Sequence, residues 1–105
     1  MKHLKAALES LGEQEQKFIK IEQKKDGPLT LAIQIQDGKP EPHGVVGLQA
    51  TDILHFLQGL YGSLNASYPC KENEDTLRHL AAADFHQQER TKDREARKVE
   101  GTNEA

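Results

Sequence analysis

The sequence predicts an α+β fold, a small N-terminal antiparallel β-sheet followed by a helical hairpin with a long C-terminal helix. Three patterns predict it. Ile19 and Ile21 alternate with Lys20 and Glu22 between Lys17 and Lys25. Between Leu29 and Gln36 the odd positions Leu29, Leu31, Ile33 and Ile35 alternate with Thr30, Ala32, Gln34 and Gln36. That period of two means strands with one buried face. Downstream, Ile53, Leu57, Leu60 and Leu64 recur at helical spacing, and Leu77, Leu80, Ala81 and Phe85 do so again. With 105 residues there is room for one domain, its 1-48 part strand-rich and its 49-105 part a helical hairpin with a tail.

The chain is expected to open on a short amphipathic helix carrying Leu4, Ala7, Leu8 and Leu11, with Gly12 as its C-cap. Asp26-Gly27 in "KKDGP" tolerates positive φ and Pro28 suits a strand entrance, so the two strands form a hairpin. "DGKPEPHG", Asp37 to Gly44, reads as a loop, and Val45-Val46 as a short third strand. A two-stranded hairpin is marginal alone, so that strand or a helix is expected to cover it. Thr51 is expected to cap the next helix, with Asp52 favoured by the helix dipole and Leu54 and Tyr61 widening the apolar stripe. Gly59 and Gly62 inside it call for close helix packing. "NASYP" breaks the pattern, and the long helix is expected from about Glu72 to about Lys98, ended by Gly101.

Composition narrows function. Lys plus Arg number 14 against 17 Asp plus Glu, a formal charge of −3 that argues against a DNA or RNA binder. A hydrophobic content of 35% beside 30% charged residues leaves a modest core, so self-association is expected. The single Cys70 closes no intrachain disulfide and points to a reducing, cytoplasmic compartment. The N-terminal stretch lacks an apolar signal region, and no window approaches the roughly 20 apolar residues of a membrane span. A soluble chain is expected.

Catalytic and metal signatures are weak. His79 follows Cys70 by nine positions, roughly 13 Å along a helix and too far for proton transfer. His3, His43, His55, His79 and His86 form no i, i+4 pair and no HExxH, so surface or packing roles are expected rather than a metal site. No glycine-rich phosphate motif announces a cofactor, and none is expected.

The charge pattern near the C-terminus is more informative. "QQERTKDREARKVEGT", Gln87 to Thr102, holds five basic and four acidic side chains. Arg90, Arg94, Arg97 and Lys98 share one helical stripe, with Glu89, Asp93 and Glu100 beside it. Arg90 with Asp93 and Lys92 with Glu95 are expected to pair at i, i+3. Such a stripe is either a solvated helix face or a grip for a phosphate, which Arg holds with its forked donors.

"PCKEN", Pro69 to Asn73, followed by "ERTKDREARKVEGT", Glu89 to Thr102, resembles the C-terminal helical hairpin of the phage Thoeris anti-defence protein one family. That family shares the hairpin with the phage anti-CBASS protein two. The strict resemblance covers little more than the last third of the chain. Lys71 stands where Arg is usual, Lys98 where Gly is, and His86 where an aromatic, usually Trp, is expected.

The resemblance implies no enzyme. It implies a sponge, hexameric in known members, that holds cyclic ADP-ribose isomers, in some members cyclic di- or trinucleotides, uncut in the host cytoplasm during infection. By motif position Asn73, Arg90 and Arg94 match residues that contact the ligand. Tyr61 or Tyr68 can stack on the base, core packing being the alternative for each.

Asn73 and Arg90 are seventeen residues apart, about 25 Å on one helix, so such a site has to span two copies of a homo-oligomer. Two other readings stay open: a small phage structural or protein-interaction module using the charged helix, and a hydrolase of cyclic nucleotides.

Overall fold

The computed structural model describes residues 2–37 and 46–97. It has the predicted α+β architecture. Helix α1 (Lys2–Glu9) and the short α2 (Glu13–Gln16) lead into strands β1 (Ile19–Gln23) and β2 (Leu29–Ile33). A helical hairpin follows, α3 (Ala50–Ser67) and α4 (Lys71–Ala96). The expected strand at Val45-Val46 is absent at Val46, which is exposed and outside any strand, while Val45 lies outside the described residues.

α3 is the central element, with α1 against one side and α4 against the other. Phe56, Ala7 and Leu11 form the buried core, and Leu4, Leu8, Ile19 and Leu60 pack against it. The sequence stripe on α3 named Leu60 but missed Phe56, which lies four residues before it and meets Ala7 and Leu11. Close approach is possible because of Gly59: a Cβ there would sit 2.5 Å from Ser10 Oγ and 3.1 Å from Ala7 Cα. Gly62 meets nothing within 4 Å, so only one of the two helix glycines is explained by packing.

Helix boundaries differ from expectation for local reasons. Gly12 is the N-cap of α2, with φ −68 and ψ 164, and not the C-cap of α1. Gln49 is the N-cap of α3 in place of Thr51, and its N–H donates to the Asp52 carboxylate at 2.9 Å. α3 continues through Asn65 to Ser67, so the break falls at Tyr68-Pro69 rather than across all of "NASYP". At the turn, Cys70 N–H donates to Asn65 Oδ1 at 3.2 Å and Cys70 Sγ accepts from Asn73 N–H at 3.4 Å. α4 therefore starts one residue before the expected Glu72 and runs to Ala96; Lys98 and Gly101 lie outside the described residues.

β1 and β2 pair antiparallel with Ile19 opposite Ile33 and Ile21 opposite Leu31. Asp26 in the connecting turn takes φ 57, and Gly27 N–H closes it on Lys24 C=O at 2.9 Å. Only the root of the hairpin is covered. Ile19, Ile21 and Ile33 are half-buried, whereas Leu29 and Leu31 are 41% and 40% exposed. The cover expected from a third strand is reduced to one parallel bridge, Ile35 with Leu48, whose close backbone approach requires Gly47. Leu48 is fully buried beside it.

The two helix glycines give opposite predictions. Gly59→Ala should destabilise the fold by about 1–3 kcal/mol through overpacking against α1, more than its helix-propensity gain. Gly62→Ala should stabilise it by up to about 1 kcal/mol. Urea denaturation of both variants checks the signs, and the same sign for both would refute the assigned packing.

Candidate functional site

α3 and α4 run antiparallel, and three contacts set their register. Asn65 meets Cys70 at the turn, Gln58 Nε2 donates to Leu80 C=O at 3.2 Å, and His55 Nε2 lies 3.0 Å from Asp84 Oδ1. Gln88 Nε2 donates to the other Asp84 oxygen at 3.0 Å. Continued to the open end, this register sets Ala50 opposite the turn that holds Gln87 and Gln88. Arg90 and Arg94 therefore lie on the last turns of α4, past the first residue of α3.

An open apolar groove of about 600 Å³ lies at that end, between Ala50, Ile53 and Leu54 of α3 and Ala83, His86 and Gln87 of α4. Ala83, Gln87, Arg90 and Arg94 are spaced i, i+4, i+7 and i+11, so they form one stripe along α4. The groove's α4 wall thus leads directly to the two arginines. His86, one turn before Arg90, is exposed and meets the Phe85 ring edge-on, with centroids 5.7 Å apart.

The ion pairs at this end differ from those expected. Asp93 pairs with Arg97 at 2.8 Å, not with Arg90, and Lys92 pairs with Glu89 at 3.5 Å, not with Glu95. The i, i+4 alternative won for Asp93. Among the described residues none forms an ion pair or hydrogen bond with the exposed Arg90 guanidinium. Arg94, which has partners of its own, is half-buried.

Asn73 and Tyr61 are not brought to this place within one chain. Asn73 sits in the first turn of α4, where its Nδ2 donates to Tyr68 C=O at 3.2 Å and helps lock the hairpin turn. Since α4 is one unbroken helix, Asn73 and Arg90 are about 25 Å apart. Tyr61 is half-buried on α3 at the level of Leu77, while Tyr68, 68% exposed, is the open aromatic of the pair.

Sequence reasoning missed a contact between distant residues. His3 Nδ1 lies 2.8 Å from Ser63 Oγ, and the His3 ring is 6.0 Å from that of Tyr68. Sixty residues separate His3 from Ser63, so no local spacing signals the pair. Among the described residues no three His, Cys, Asp or Glu side chains cluster to hold a metal, and no helix is long and apolar enough to cross a membrane.

The His55–Asp84 contact fixes the wall of the groove. Asp84 is only 15% exposed and accepts from two side chains, whereas His55 is 46% exposed. Asp84→Ala should lower stability by about 1–2 kcal/mol, because it leaves Gln88 and His55 without their acceptor. His55→Ala should cost less, about 0.2–1 kcal/mol, as for a solvent-facing pair. Thermal melts of the two variants and their double mutant test this; equal costs, or no coupling between them, would refute it.

Comparison with known proteins leaves the reading on these residues alone: no protein-family model, curated protein or solved structure matches the chain.

Proposed function

We propose that the chain is a phage anti-defence sponge, which binds cyclic ADP-ribose-type immune signals, with cyclic di- or trinucleotides as a second class, and holds them uncut. The observation that carries the reading is the exposed Arg90 guanidinium, with Arg94 one turn further, at a helix end where Asp93 is paired with Arg97 and Glu89 with Lys92. Arg90 and Arg94 grip the pyrophosphate with charge-assisted, forked hydrogen bonds. Asn73 supplies an amide that reads a ribose or base edge. The resemblance of "PCKEN" and "ERTKDREARKVEGT" to the Thoeris anti-defence hairpin supports this choice of ligand over other anions.

Holding a signal requires only differential affinity, and each tenfold takes about 1.4 kcal/mol. No bond is broken. Because Asn73 and Arg90 sit at opposite ends of one rigid helix, the site is completed by a second copy whose α4 lies alongside in the opposite direction. An apolar side chain as open as Phe85, 57% exposed on the outer side of α4, also suits a protein-contact module. That second reading predicts a chain indifferent to nucleotides.

Two experiments test the proposal. Purified protein mixed with cyclic ADP-ribose isomers should deplete them from solution and return them intact after heat denaturation. Recovery of a cleaved product, or no depletion at all, would overturn it. Arg90→Ala and Asn73→Ala should each weaken binding at least tenfold in calorimetry. Unfolding and refolding the two variants together should restore part of the capacity, since a mixed pair holds one site with both groups; no recovery would rule out a shared site.

A further inference from the structure

The arginines account for the phosphates of such a ligand but leave its base without a seat. The groove beside them supplies one. Its walls are Ala50, Ile53 and Leu54 on one side and Ala83, His86 and Gln87 on the other, so its floor is apolar and its rim carries one amide and one imidazole. Arg90 follows Gln87 by three residues on the same stripe, a step of about 4.5 Å along the axis.

Resting on the proposed function, we infer that this groove seats the base of the captured nucleotide, with its phosphate on Arg90 and Arg94. The chemistry selects this occupant over a plain apolar one. A planar base presents two apolar faces, which Ile53, Leu54 and Ala83 cover, and polar edges, which the Gln87 amide can meet as both donor and acceptor. His86, exposed on the rim, adds a ring that stacks on a base face. The fixed anion is matched by the guanidinium one turn away.

Each carboxylate nearest the groove has a partner of its own, and Glu89 is paired with a fixed cation. Asp84 is held by His55 and Gln88, Glu89 by Lys92, and Asp52 by the Gln49 N–H. A wholly apolar peptide would fill the floor of the groove but would leave Arg90 without an anion. The small side chains Ala50 and Ala83 are what keep the groove open.

Calorimetry on the full chain with two probes separates base seat from phosphate grip. The probes are cyclic ADP-ribose, which carries a base, and inorganic pyrophosphate, which carries none. Wild-type protein should bind the first at least a hundredfold more tightly. Ala83→Leu fills the groove and should weaken cyclic ADP-ribose at least tenfold while leaving pyrophosphate binding unchanged, and Arg90→Ala should weaken both. Ala50→Leu, which fills the groove from the opposite wall at an exposed first-turn position, provides the same readout should Ala83→Leu not fold by circular dichroism. Unchanged cyclic ADP-ribose affinity in the filled variants would overturn the base seat while leaving the sponge intact. A lower solution mass in those variants, with affinity kept, would assign the groove to a second copy and overturn the proposal. Wild-type protein that ignores both probes would overturn the sponge itself, and the seat with it.

Discussion

The fold depends on how closely α1 approaches α3. Among the described residues, three of the four buried apolar side chains, Ala7 and Leu11 of the N-terminal segment and Phe56, meet there, and Gly59 lets the backbones come near enough to exclude water. A small core has little to spare. If that contact loosens, Ile19 loses the surface that anchors β1, and the hairpin loses its root. On the opposite side of α3, the His55–Asp84 and Gln58–Leu80 contacts transmit the same positioning to α4. The arginine end is thus placed indirectly by side chains on the far side of the middle helix.

Such a layout is economical in core and generous in surface. Its extents of 47 × 35 × 18 Å describe a slab roughly two helices thick. Phe85, Leu29, Leu31 and Ile35 leave large apolar side chains open on it. A thin layer of helices also explains why α4, although 26 residues long, contributes no fully buried side chain.

What the sequence made legible follows from periodicity. Alternation across Ile19, Ile21, Leu31 and Ile33 was enough to place a hairpin, and the positive φ fell on Asp26, within the pair expected to accept it. The long helix was legible for the same reason. Caps were not: Gly12 is compatible with ending one helix or starting the next, and only Glu13–Gln16 forming a turn of its own decides it. The acidic partner of each cation was equally undetermined. Asp93 has arginines at i−3 and at i+4, and a sequence cannot say which one the rotamers favour. The groove gave no signal at all, since Ile53 and Leu54 look the same whether they are packed against a neighbour or left open beside Ala83.

Arg90 and Arg94 were visible as a stripe, yet a stripe alone does not separate a wetted helix face from an anion grip. Two structural facts shift the balance. One is the loss of Arg90's expected partner to Arg97, which leaves a strong donor set directed at solvent. The other is position: α4 carries these arginines past the first residue of α3, so they flank an apolar groove instead of lying over the packed middle of the hairpin. An apolar recess and an unneutralised guanidinium thus lie side by side. A nucleotide has one half suited to each. The same rigidity that joins groove and arginines also keeps Asn73 some 25 Å away, so one helix cannot wrap a small ligand from both ends. Under the proposed function the second copy then has two roles, covering surplus apolar surface and closing the pocket, and the thinness of the slab is what makes the first of them favourable.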